Sequence, residues 1–115
     1  MANTFKQISK AGVTSSDVIY TVAGSTTTVV LGLIIGNTQS SSITVTLTIS
    51  TDTSSRSGAN NEDNHPVELL TSTTIPANSS LELLAGNKIV LETTDVINLT
   101  ASPAADISIS VMEIT

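Results

Sequence analysis

The clearest indication of the fold is the stretch Ile43-Thr44-Val45-Thr46-Leu47-Thr48-Ile49-Ser50. Apolar side chains alternate along it with hydroxyl side chains, one residue at a time. Successive side chains of a β-strand point to opposite faces of a sheet, so this period of two places all the apolar residues on one face. β-Branched residues on both faces also favour an extended backbone. The stretch therefore predicts a half-buried β-strand.

Runs of similar character extend outward from this strand in both directions. Turn-forming pairs such as Ala23-Gly24, Thr94-Asp95 and Pro103-Ala104 separate most of them, and no stretch has a convincing helical period. Eight strands are predicted, at 17–22, 26–37, 43–50, 67–74, 81–84, 88–93, 96–101 and 107–114, and residues 4–10 form a weaker run of the same kind. We therefore predict an all-β chain that folds as an antiparallel β-sandwich, jelly-roll or immunoglobulin-like, of about eight strands.

The length of the chain sets its domain organisation. A chain of 115 residues forms one domain, residues 1–115. Residues 1–16 are expected to form an N-terminal arm or an edge strand, and residues 51–66 a long polar loop, TDTSSRSGANNEDNHP. A loop of that length in a compact domain often has a function. The pair Gly86-Asn87, between two apolar runs, predicts a tight two-residue hairpin.

The composition excludes two classes of partner. The chain has 17 Ser and 19 Thr, but only four Lys or Arg against ten Asp or Glu, which gives a net charge of −6 and a pI near 4.3. Binding of nucleic acid depends on clustered Lys and Arg, and single strands also need aromatic stacking platforms. An acidic chain is repelled by an anionic membrane surface. We therefore expect no nucleic-acid partner and no membrane partner.

Two further features bear on the compartment. The sequence contains no Cys, which excludes disulfides and thiolate zinc sites. The first ten residues, MANTFKQISK, lack the apolar segment of a signal peptide, and no run approaches the roughly 20 apolar residues of a membrane span. We expect synthesis in a cytoplasm without export by a signal peptide.

Residues suited to catalysis are sparse. His65 is the only histidine and lies in the polar loop, and no G-x-S-x-G motif is present. A serine nucleophile with His65 as its base would also need an orienting residue and an oxyanion hole. The pairs Glu62/Asp63 and Glu92/Asp95 could serve glycoside chemistry, although sugar sites usually contain aromatic faces. We expect no catalytic residue, no enzyme activity and no cofactor.

Calcium binding by the polar loop is the metal site with most support in the sequence. Ca²⁺ takes six to eight oxygen ligands. The carboxylate and amide side chains of the loop are Asp52, Asn60, Asn61, Glu62, Asp63 and Asn64. Their spacing does not match the D-x-[DN]-x-[DN]-G pattern of a calcium loop, and asparagine-rich loops are common without metal. No metal ligands are therefore assigned.

A strand with two apolar faces points to an interaction surface. Residues 29–35 read VVLGLII, so both faces of the predicted strand are apolar, whereas the next strand is polar on one face. Such a strand is either covered on both sides or lies against a partner. Val30 and Ile34, two residues on one of its predicted faces, are candidate interface residues.

The end of the chain repeats this pattern. The apolar residues of the segment 107–111 share one face, yet Met112 and Ile114 fall on the other. Either a bulge resets the alternation, or these two side chains make an external contact. Met112 and Ile114 are therefore the second pair of interface candidates.

Two longer stretches carry a resemblance to a known family. The first is Ile19–Leu33, IYTVAGSTTTVVLGL, followed by Asn37-Thr38 and the alternating strand. The second is Ile75–Glu92, IPANSSLELLAGNKIVLE, followed by Asp95-Val96-Ile97. Over residues 17 to 114 the chain resembles small structural proteins of tailed bacteriophages, especially cyanobacterial and marine ones.

The resemblance implies a function as well as a fold. It implies a non-enzymatic β-sandwich of the virion, made in the host cytoplasm, and most directly a decoration or cement protein that bridges major capsid subunits. Its partners would be the major capsid protein and itself, as a homo-oligomer, with a trimer expected because decoration proteins commonly occupy three-fold positions. A tail, neck or fibre component is the alternative. A carbohydrate- or receptor-binding sandwich is a third, which the scarcity of aromatic residues disfavours.

Overall fold

The computed structural model describes residues 2–51, 66–84 and 87–115. Within these ranges the chain is all-β, as predicted, with seven antiparallel strands in one sheet. The strands are β1 (Asn3–Thr21), β2 (Thr27–Gly36), β3 (Ile43–Ser50), β4 (Val67–Ile75), β5 (Ser80–Glu82), β6 (Ile89–Leu91) and β7 (Val96–Ile114). The alternating stretch that predicted the fold is β3, and its four apolar side chains are buried.

Two 19-residue strands, β1 and β7, organise the sheet. They pair with each other along their length, while the other edge of β7 pairs first with β3 and then with β2. The sheet curls over on itself because β1 and β7 run through both of its halves. We call the half built on β2, with β5 and β6, the first half-sheet, and the half built on β3 and β4 the second half-sheet.

The core lies between the two half-sheets. Val30, Leu33 and Ile89 of the first half-sheet line the same interior space as Leu47 and Ile97 of the second. All of these except Ile89 are at most 2% exposed. Facing apolar surfaces of two sheet layers are the defining feature of a β-sandwich, and removal of each such side chain from water stabilises the fold by roughly 1.5–3 kcal/mol.

The predicted strands 4–10 and 17–22 are not separate but form the single strand β1. The register to β7 shifts between Lys10 and Val13, at a bulge that contains Gly12. Gly12 has a φ of +67°, in the left-handed region that favours glycine, and its N–H donates a 2.9 Å hydrogen bond to the Asp106 carboxylate. The bulge bends the strand without ending it.

The predicted turn at Pro103-Ala104 is also wrong, because β7 continues through it and joins the predicted strands 96–101 and 107–114. Val13 pairs with Ala105, but Ser15 pairs with Ala101, so β7 has extra residues at this point. Proline has no N–H to donate and is tolerated where a ladder is interrupted by a bulge. Pro103 therefore lies in a bend and not in a turn between strands.

The expected hairpin at Gly86-Asn87 is contradicted by the pairing of its flanking strands. Glu82 of β5 pairs with Ile34, and Ile89 of β6 pairs with Val30, so both strands lie in line along the same edge of β2. Residues 85 and 86 themselves lie outside the described residues. Turn-forming residues occur both in hairpins and between two strands that lie in line, so the local sequence could not distinguish these two arrangements.

Two expectations remain, one for residues 1–16 and one for the polar loop at residues 51–66. Residues 3–16 of the predicted arm or edge strand belong to β1, which pairs with β7 alone among the described strands. Residues 52–65 of the predicted polar loop lie outside the described residues, as do the calcium candidates and His65 within it.

A buried amide anchors the connection between β2 and β3. Asn37 is 3% exposed, and its Nδ2 donates to the carbonyl oxygens of Ser41, Ile75 and Pro76 at 2.9, 3.0 and 3.0 Å. Its Oδ1 accepts a 2.8 Å hydrogen bond from the N–H of Gln39. One side chain therefore bonds four backbone groups in two segments, residues 39–41 and 75–76, as buried polar groups require.

Candidate interaction surface

Four apolar side chains lie side by side on the outer face of the first half-sheet. Phe5 of β1 pairs with Met112 of β7, Met112 pairs with Val29 of β2, and Val29 pairs with Val90 of β6. Residues directly opposite each other in a ladder project to the same side of the sheet. Phe5, Met112, Val29 and Val90 therefore form one line across four strands, which we call the apolar row.

The burial of neighbouring residues shows that the apolar row faces away from the core. Val30, Leu91 and Val111, each one residue along its strand from a member of the row, are 1% exposed. The two ends of the row are open, with Phe5 at 72% and Val90 at 62% exposed, while Val29 and Met112 are half-buried between them. Exposed apolar side chains grouped in this way are typical of contact surfaces.

The structure excludes one of the two alternatives for the C-terminal candidates. The ladder from β7 to β1 runs without a shift from Ile107 to Ile114, so no bulge resets the alternation in this part of β7. Met112 and Ile114 therefore lie on the outer face, and Ile114 is in the adjacent line of side chains, between Asn3 and Thr27.

The two candidates from β2 do not share a face, which corrects the prediction. Val30 pairs with Val111 but Gly32 pairs with Ser110, so Leu31 is an extra residue in a bulge. The bulge reverses the alternation, and Val30 is consequently in the core at 1% exposure while Ile34 is outside at 43%. The bulge at Leu31 thus accounts in part for the apolar character of both predicted faces of this strand.

Beyond the apolar row, the outer face of the first half-sheet becomes a shallow groove. The groove has a volume of about 470 Å³, and its lining includes Ser9, Ile34, Gly36, Asp106 and Ser108. Small side chains leave this space because they cover little of the backbone beneath them. Its carboxylate, that of Asp106, lies at the end of the face remote from the apolar row.

A polar cluster lies on the inner side of the same strands. Glu113, between Met112 and Ile114, accepts a 2.5 Å hydrogen bond from the Tyr20 hydroxyl and forms a 2.9 Å ion pair with Lys6. The Tyr20 oxygen is also 2.7 Å from the hydroxyl of Thr28, which is fully buried. Tyr20 belongs to the second half-sheet and Lys6 to the first, so this polar cluster joins the two layers at one end of the sandwich.

The electrostatics of the polar cluster follow from these contacts. Burial is the main cause that raises the pKa of Tyr20 to about 12, and the adjacent Glu113 carboxylate adds to it. The hydrogen bond from Tyr20, and then the one from Lys6, hold the pKa of Glu113 below its usual value. At neutral pH the phenol is therefore protonated and the carboxylate charged, which is the combination that makes their hydrogen bond strongest.

The sequence analysis missed Phe5, Val29 and Val90 as surface residues. The signal that could have found Val90 is its place between Ile89 and Leu91, where an apolar residue must face outward if its neighbours face the core. Phe5 belongs to the run that was the weakest of the predicted strands. Only the strand pairing brings these residues to Met112.

The described part of the chain contains neither a cluster of metal ligands nor a membrane-spanning helix. Across 2–51, 66–84 and 87–115, no three His, Cys, Asp or Glu side chains lie close enough together to hold a metal ion. No helix in those ranges has the length and apolar character to cross a membrane. No model of a protein family, no curated protein and no solved structure matches this chain.

Proposed function

We propose that this protein is a non-enzymatic structural component of a virion, most directly a decoration or cement protein that binds a capsid and bridges neighbouring major capsid subunits. The observation that carries the proposal is the apolar row, which is in register across four strands and open to solvent at both ends. Covering such a surface with another protein gains roughly 25 cal/mol per Å². The proposal that this component belongs to a virion rests on the resemblance of residues 17 to 114 to phage structural proteins.

The polar residues also support a function in which the protein binds other proteins. The Tyr20 hydroxyl is hydrogen-bonded to Glu113, and Glu113 forms an ion pair with Lys6, which suits a role in holding the fold. On the outer face of the second half-sheet, hydroxyl side chains such as Thr44, Thr46 and Thr48 alternate with the buried residues of β3. Hydroxyl groups can bond a partner's backbone without the cost of burying charge.

A tail, neck or fibre component is the second candidate, and the long edge of β1 favours it. Among the described strands β1 has β7 as its one partner, which leaves one side of a 19-residue strand open. An open edge of this kind can extend the sheet of a neighbouring subunit. A glycan array tests the third candidate, a carbohydrate- or receptor-binding sandwich; Phe5 is the exposed aromatic side chain that the described outer face provides for stacking.

The deciding experiment is to quantify this protein in purified virions and to label it there by electron microscopy. A decoration protein is expected in many copies, with label over the capsid. A few copies with label on the tail would support the second candidate. Complete absence from virions would overturn both.

A further inference from the structure

We propose that the apolar row is the site at which a second copy of this chain packs, outer face against outer face. This inference rests on the proposed function and names a partner for it: the row binds a second copy, which leaves the hydroxyl-bearing outer face of the second half-sheet for the capsid. It concerns Phe5, Met112, Val29 and Val90, together with Ile114 beside them.

The charge distribution favours a partner that brings no charge to this surface. Neither the apolar row nor the adjacent line Asn3, Ile114 and Thr27 contains an ionisable side chain. Glu113 and Lys6 are committed to the polar cluster on the inner side, and Asp106 and Glu82 are at the far end of the outer face. Interface cores are depleted in charged residues and enriched in aromatic residues and Met, as this row is. The ionisable side chains nearest to Val90 are Lys88 and Glu92, each two residues along the chain and exposed, and their opposite charges leave no net negative charge at this end of the row.

The exposed area agrees with what a stable dimer needs. Phe5 and Val90 are 72% and 62% exposed. With the half-buried members of the row and Ile114 they present on the order of 350 Å² of apolar surface per chain. A standard interface buries about 800 Å² on each partner, a little over half of it apolar. The remainder is available from the small polar residues of the same face, including Gln7, Ser108 and Ser110.

The shape of the surface favours a second copy over a partner that inserts a protruding side chain. The row is a face of regular sheet, and two sheet faces pack closely at about 10 Å, as they do inside a sandwich. When a face packs on the same face of another copy, the contact is two-fold symmetric and closes after two chains. The inference therefore predicts a dimer, where the resemblance implies a trimer.

The chain offers a matched pair of substitutions for the test. Val90→Asp places a charge at the exposed end of the apolar row. Val18→Asp makes the same change at a valine that is 52% exposed in β1, paired with Asn98 in the second half-sheet. Both side chains are open to solvent, so both variants are expected to fold, and circular dichroism with thermal melting checks this. Phe5→Ser provides a second variant at the other end of the row.

The measurement is molar mass against concentration, by light scattering and sedimentation equilibrium. The expected result is a wild-type dimer, a dissociation constant raised roughly tenfold or more by Val90→Asp and by Phe5→Ser, and a Val18→Asp protein that dimerises as wild type does. Because the chain has no Cys, Met112→Cys gives a single thiol, and it is expected to form an intermolecular disulfide where Val18→Cys does not.

Several outcomes would overturn the inference. They are a wild-type monomer at every concentration, a trimer, or equal weakening by Val90→Asp and Val18→Asp. The failure of the proposed function is seen separately, in virions. If the wild-type protein is monomeric and Val90→Asp is lost from virions, the row contacts another virion protein and only the dimer is refuted. A dimer that never enters virions refutes the proposed function.

Discussion

The hydroxyl of Tyr20 donates a 2.5 Å hydrogen bond to the carboxylate of Glu113, which is 93 residues away in the sequence. Tyr20 and Lys6 belong to the two halves of the same bent strand, and both contact Glu113. One carboxylate thus connects the two layers of the sandwich, directly behind the apolar row. Hydrogen bonds to a charged group are roughly twice as strong as neutral ones, so loss of this contact is expected to lower the free energy of unfolding measurably.

The first prediction concerns the ionisation of Tyr20, whose pKa is raised to about 12, mainly by burial. Between pH 10 and 12 the unfolded chain releases this proton while the folded chain keeps it, so the free energy of unfolding falls as pH rises through that window. Tyr20 is the only tyrosine and the chain has no tryptophan, so tyrosinate absorbance reports on it alone. Titration of the native protein near pH 10 would contradict the buried hydrogen-bonded geometry.

A double-mutant cycle tests the contact between Tyr20 and Thr28. Tyr20→Phe leaves the buried Thr28 hydroxyl without this partner and is expected to cost about 1–3 kcal/mol of unfolding free energy. Thr28→Val, a change of similar volume, removes the buried hydroxyl itself. Since the double variant has no Thr28 hydroxyl left without this partner, its loss measured by urea unfolding is expected to be smaller than the sum of the two single losses. Strict additivity would show that the two hydroxyls do not interact.

The lowered pKa of Glu113 predicts that the free energy of unfolding falls at acid pH. Its pKa is lowered in the folded state, first by Tyr20 and then by Lys6, so its contribution is present above the unfolded value of 4.5 and is lost as pH falls through the folded pKa. Glu113→Gln is expected to lower the melting temperature at neutral pH and to flatten this acid slope. Glu82→Gln makes the same change of net charge at an exposed position of β5 and is expected to leave the neutral melting temperature unchanged. Equal effects of the two substitutions would refute a specific role for Glu113.

Asn37 is expected to tolerate even an isosteric replacement poorly. Asn37→Asp would turn a carboxylate toward three carbonyl oxygens in a site that is 3% exposed, and the loss of unfolding free energy should exceed about 2 kcal/mol. Asn87→Asp, at an exposed position, is the matched control. Denaturant unfolding measures both variants, and a stable Asn37→Asp protein would mean that the amide hydrogen bonds contribute little.

The core of β3 supplies the last prediction. Leu47 is fully buried between the half-sheets, and Leu47→Ala is expected to cost about 2–5 kcal/mol through lost transfer energy and the remaining cavity. Thr44→Ala, on the exposed face of the same strand, should change the unfolding free energy by less than about 0.5 kcal/mol. If urea unfolding shows similar losses of unfolding free energy for the two variants, the assignment of inner and outer faces is wrong.

The part of the fold that the sequence predicted well is the part that rests on local periodicity. The alternation in residues 43–50 determines which face of β3 is buried, because the side-chain period of an extended chain is the same in any sheet. The all-β class follows from many such runs. Met112 and Ile114 were correctly singled out as out of phase with the core for the same reason.

Which strands lie opposite one another, and whether a break in pattern bends a strand or ends it, depend on contacts between distant parts of the chain. Gly12 and Pro103 carry ordinary turn signals, yet each lies in a bulge within a long strand, because the facing strand continues and keeps the chain in the ladder. The extra residue at Leu31 turns Val30 inward, a shift that is invisible until Val111 and Ser110 define the register. The apolar row joins Phe5 and Met112 from opposite ends of the chain, since local sequence records how apolar a side chain is but not which strand will lie beside it.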